Sequence, residues 1–78
     1  MREKELRAII TFHTTAEAIA AERCCRAAGL EGRLIPTPRK LSAGCGIAWS
    51  APPEKGADII GLLDEKKIAY ADICKIPV

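Results

Sequence analysis

The residue most open to chemistry is Cys45. It stands in PRKLSAGCG, residues 38–46, with Gly44 and Gly46 on either side, Ser42 three positions before it, and the cations Arg39 and Lys40 just upstream. The two glycines remove neighbouring side chains, so a partner's sulfur or selenium atom could approach closely. Glycine also tolerates positive φ, which can turn successive backbone N–H groups toward one point and form an anion-binding nest. Cations, a hydroxyl donor and such a nest each lower a thiol's pKa, and the thiolate is the reactive form. A persulfide or a selenide is anionic near neutral pH and suits the same setting. A second reading fits the residues equally well. Free cysteine is among the most buried residue types, and a glycine-rich turn can lead into a strand with Cys45 as filler.

The other thiols read differently. Cys24 and Cys25 are adjacent in TAEAIAAERCCRAAG. Side chains one position apart on a helix point about 100° from each other, so packing is the simpler role for both. Cys24 is retained as a possible secondary thiol. Cys74 alternates with Tyr70, Asp72 and Ile76, and its burial depends on which face points inward. No C-x-x-C occurs and the single His13 is far from any paired cysteines, so no ordinary zinc spacing is encoded. His13 would reach Cys45 only if the loop folds over the end of the first strand. Trp49 follows Cys45 by four residues and either shelters the thiol or fills the core.

These residues need elements to hold them. ELRAIITFH, residues 5–13, predicts a first strand. Thr14 and Glu17 form a Thr-x-x-Glu capping box that starts a helix, and Gly29 ends it. On that helix Glu22, Arg23 and Arg26 share one arc. Ala18, Ala21, Cys25 and Ala28 share the opposite one, with Cys24 at its edge. Residues 32–38 predict a second strand, at a sheet edge because Pro36 and Pro38 donate no ladder hydrogen bond. Residues 45–51 predict a third. Pro52 and Pro53 break it and suit the first turn of a second helix over 54–67, weakened by Gly56 and Gly61. Residues 68–78 close the chain as a fourth strand. The order β-α-β-β-α-β predicts an α+β, ferredoxin-like sandwich: one four-stranded antiparallel sheet with both helices on one face. The other face would be open, with Ile9, Thr11, Arg33 and Ile35 on it, and would invite self-association into a homo-oligomer.

Composition bounds the function. At 78 residues the chain reads as a single domain, residues 1–78, burying only about 60% of its unfolded surface and with little room for a deep pocket. A net charge of +2, spread along the chain, argues against a nucleic-acid partner. No apolar run approaches the roughly 18 residues of a membrane span, and no export signal is evident, which predicts a cytoplasmic protein with reduced thiols. No cofactor is expected.

With Phe12, Ala18, Glu22 and Gly29 ahead of it, GRLIPTPRKLSAGCG resembles the putative selenium/sulfur carrier protein-like family, small bacterial domains of uncharacterised function. That pattern is a strand ending in Phe, a Glu-containing helix, a GRLIP-x-PR strand and an S-x-x-CG turn. The resemblance implies a carrier more than an enzyme. Cys45 would hold a persulfide or selenyl-sulfide, and Arg39, Lys40, Ser42, Gly44 and Gly46 would form its setting. The donor would be a cysteine desulfurase or selenocysteine lyase type enzyme. The alternative is a small-ligand-binding or regulatory module that self-associates through its sheet, with an anion held by Arg39 and Lys40 and Cys45 incidental.

Overall fold

A computed structural model describes residues 5–39, 41 and 46–77. Its elements are β1 (Leu6–Thr11), α1 (Thr15–Ala27), β2 (Arg33–Pro36), β3 (Ile47–Ala51), a 3-10 turn (Pro53–Lys55), α2 (Gly56–Glu65) and β4 (Asp72–Pro77). The strands form one sheet in the order β2-β3-β1-β4, with every neighbouring pair antiparallel. α1 joins β1 to β2 across β3, and α2 joins β3 to β4 across β1. This is the ferredoxin-like, α+β arrangement that the element order predicts. β2 lies at an edge, where its proline is tolerated.

Alternation along the strands sorts side chains between the two faces. Toward the helices point Ile10, Trp49 and Ala51, which pack with Phe12, with Ala18, Ala21 and Cys25 of α1, and with Ile59 and Leu63 of α2. Small residues on α1 let it lie close to the sheet. Gly56 does the same for α2: a Cβ there would sit 3.4 Å from both Ala8 Cβ and Ile73 Cδ1. Its part is close packing, whereas Gly61 faces open space.

The helix ends explain where sequence boundaries shift. Thr14 is the N-cap of α1, its hydroxyl accepting the Glu17 N–H at 3.2 Å. Glu17 reaches back one residue further than a capping box does, accepting the His13 N–H at 2.8 Å. At the other end Gly29 takes φ +75°, and Leu30 N–H donates to the Cys25 carbonyl at 2.8 Å, closing a Schellman turn. Ala28 lies in that turn and is exposed rather than buried. α2 closes the same way without glycine: Lys67 takes φ 58° and Ile68 N–H donates to the Leu63 carbonyl at 2.8 Å. The helix therefore stops at Glu65, two residues before the predicted end. Ile68 and Tyr70 then pack against the core before β4 begins.

The second sheet face carries Ile9, Thr11, Arg33 and Ile35, as alternation predicts, because Ile9 and Arg33 both pair with Ser50 while Thr11 and Ile35 both pair with Ala48. Its centre is not an exposed apolar patch, however. Ile9 and Ala48 are 0% exposed, Thr11 2% and Ser50 3%. Arg33 at the edge is exposed and Ile35 is half-buried.

Candidate functional site

The segment that links β2 to β3 is a hairpin loop. Its base is closed where Thr37 N–H donates to the Gly46 carbonyl at 2.9 Å. Inside it, Leu41 N–H donates to the Pro38 carbonyl at 2.9 Å. That bond makes a four-residue turn over 38–41 and puts Arg39 at a corner. Arg39 is exposed and makes no ion pair with the described residues.

Gly46 is exposed, and a Cβ built on it would meet nothing within 4 Å. Among the described residues, then, nothing obstructs the space beside this glycine at the foot of the loop. Cys45, Lys40, Ser42 and Gly44 lie outside the described residues.

The register decides what surrounds that loop. Thr11 pairs with Ala48, so the end of β1 lies beside the start of β3. α1 begins at the same end of the sheet, and the partial positive charge of its first turn favours anions there. His13 is at this end too, with a side chain 60% exposed. Its Nδ1 is 3.3 Å from Glu17 Oε1, so the imidazole is engaged with its own helix.

The three described cysteines are free thiols. Cys25 is fully buried on the core side of α1, and burial, helped by the neighbouring Cys24, pushes its pKa up to about 11. Cys74 is half-buried on the second sheet face, opposite Ile9. Burial and then the nearby Asp72 push its thiol up as well. Both are shifted away from thiolate chemistry. Cys24 is half-buried on the outer side of α1, where it lines a shallow, mostly apolar groove with Ala16, Ile19, Ala20 and Arg23. No group of three or more His, Cys, Asp or Glu side chains among the described residues could hold a metal ion. No helix among them is long and apolar enough to cross a membrane.

Trp49 belongs to the core. It is 0% exposed, and its indole lies against Gly32, where a Cβ would come within 2.6 Å of the ring. Its Nε1 has no hydrogen-bond partner. Gly32, at φ +154°, is thus required by that contact and by its backbone. Periodicity gave no sign of this pairing, because the two residues are joined only through the sheet. Arg7 is the other residue that sequence reasoning passed over: its guanidinium reaches across the sheet to Ser50.

Residues 7–75 match the family model described as "Putative Se/S carrier protein-like", a span from β1 to β4 that includes the whole β2–β3 loop. The chain belongs to this family. No curated protein and no solved structure matches it significantly.

Proposed function

We propose that this chain is a sulfur or selenium carrier whose cargo rides on Cys45. The observation that carries the reading is the loop in which that residue falls. It is a hairpin tied at its base by the Thr37–Gly46 hydrogen bond, with Arg39 exposed on the turn and open space at Gly46. Family membership supports it. The contrast with Cys25 and Cys74, whose pKa values are raised, also favours Cys45 as the working thiol.

The chemistry is a transfer without net redox change. The Cys45 thiolate attacks the outer sulfur of a donor enzyme's cysteine persulfide. A new S–S bond forms on Cys45, the donor's S–S bond breaks, and its electron pair leaves on the donor thiolate. The Cys45 persulfide then passes its outer sulfur to an acceptor thiolate in the same way. Selenium follows the same course as a selenyl-sulfide. Arg39 and Lys40 would hold the anionic terminal atom, with Ser42 donating a hydrogen bond and Gly44 and Gly46 leaving the partner room. The donor would be a cysteine desulfurase or selenocysteine lyase type enzyme. The domain works in the cytoplasm, where thiols stay reduced.

The test is transfer itself. The protein is incubated with a cysteine desulfurase and free cysteine, the thiols are blocked, and each cysteine peptide is weighed. An added sulfur on Cys45, lost in Cys45→Ser and kept in Cys24→Ser, is the expected result. Sulfur on no cysteine, or on Cys24 with Cys45 unmodified, defeats the proposal.

A further inference from the structure

Arg7 holds one buried serine, and Arg33 is paired beside it on the neighbouring strand, about three residues along β3 from where the loop enters. Ser50 is 3% exposed at the end of β3. Arg7 Nε donates to its hydroxyl oxygen at 3.1 Å and Arg7 Nη2 to its carbonyl at 3.4 Å. Arg33, on the edge strand β2, pairs directly with Ser50. Directly paired residues have Cβ atoms about 4.5–5.5 Å apart, so the Arg33 side chain starts beside the Arg7 guanidinium.

Two like charges so placed repel each other, and neither is neutralised by a described residue. Both acceptors that hold Arg7 are uncharged. The ion pairs among the described residues are His13–Glu17 and Glu22–Arg26, which involve neither arginine. Glu5 and Glu31 each stand two residues before one of these arginines, exposed and in no ion pair among the described residues. Asp72 pairs with Thr11 at the far end of β1, and its carboxylate accepts the Ile73 N–H at 2.8 Å.

A guanidinium has several N–H donors in a rigid fork. Ser50 takes the Nε edge of Arg7 and fixes its plane, leaving the outer edge for a second acceptor. We propose that Arg7 and Arg33 form a binding site for a phosphate group on the second face of the sheet, with Ser50 as the positioning residue. A tetrahedral oxyanion suits two guanidinia arriving from different strands, because it can offer separate oxygens to each, and such charge-assisted contacts are the strong ones. Ser50 is three residues beyond the first residue of β3, about 10 Å along the strand from the described foot of the loop.

The test uses the full chain, ¹⁵N-labelled and titrated with inorganic phosphate, with sodium chloride and sodium acetate at matched ionic strength as comparators. Phosphate should give saturable shifts at Arg7, Arg33 and Ser50. Arg33→Gln, an exposed edge position, should weaken binding about tenfold or more while leaving the fold intact. Arg7→Lys keeps the charge but loses the fork, and should weaken it comparably. If Arg7→Lys does not fold, Arg33→Gln decides alone. Shifts that do not saturate, shifts that chloride or acetate reproduces, or unchanged affinity in Arg33→Gln would each overturn the site. None of these outcomes depends on sulfur loading at Cys45.

Discussion

The two faces of the sheet are buried by different means. The helix-facing side is apolar and closely fitted: Trp49 lies against the Gly32 backbone, and Cys25 is sealed beneath α1. The opposite side is shielded at its centre yet carries polar groups, with Ser50 under Arg7 and Thr11 Oγ1 donating to the Asp72 carbonyl at 3.4 Å. On the first face shape decides stability. On the second a charge held by uncharged acceptors leaves binding capacity. The described thiols follow the same division, since Cys25, the most deeply buried of them, is pushed up to about 11.

The largest effects should come from the fitted face. Trp49→Ala should cost roughly 3–5 kcal/mol, a large share of the stability of so small a domain. Gly32→Ala should cost roughly 2–4 kcal/mol, because its Cβ meets a rigid buried ring and its φ is one that alanine resists. Urea unfolding measures both, and a Gly32→Ala loss under about 1 kcal/mol would break the account of that contact.

Cysteine-to-serine changes sharpen the comparison next. Cys25→Ser buries a hydroxyl in the apolar core and should cost about 1–3 kcal/mol. Cys74→Ser and Cys24→Ser, both half-buried, should stay within about 0.5 kcal/mol. Equal losses at Cys25 and Cys74 would erase the distinction between the faces.

Alkaline titration probes the same thiol without mutation. The folded pKa of Cys25 is about 11, against 9.0 for an unperturbed thiol. Between those values the unfolded chain has released a proton that the folded chain retains. The contribution is therefore complete below pH 9 and is lost as pH rises through about 11. The slope should approach ~1.4 kcal/mol per pH unit, and Cys25→Ala should flatten it. Unfolding midpoints measured across that window would show no slope if the thiol were solvated.

One expected change is a gain. Lys67 holds φ 58° without being glycine, which costs about 1 kcal/mol. Lys67→Gly should return roughly that amount, since Leu63 and Ile68 keep their bond. A destabilised variant would show that the lysine side chain contributes more than its backbone costs.

Much of the molecule was legible in local chemistry. Thr14 and Gly29 mark the ends of α1, where a hydroxyl and a left-handed residue meet helix needs within one turn. The buried stripe through Ala18, Ala21 and Cys25 follows from helical periodicity. The end of α2 was misplaced because lysine occupies a position where glycine is the usual signal. For the candidate site, the residue types around Cys45 suggest sulfur chemistry.

By itself, then, the sequence determined the element order, the topology class, the core stripe of α1 and the family, all of which rest on spacing along the chain. Only the tertiary structure decided that Gly32 must be glycine for Trp49, that Arg7 lies over Ser50, and that the centre of the second face is buried. The reason is strand register: it joins residues 17 and 43 positions apart, and no local pattern specifies which partners a pleated sheet brings together.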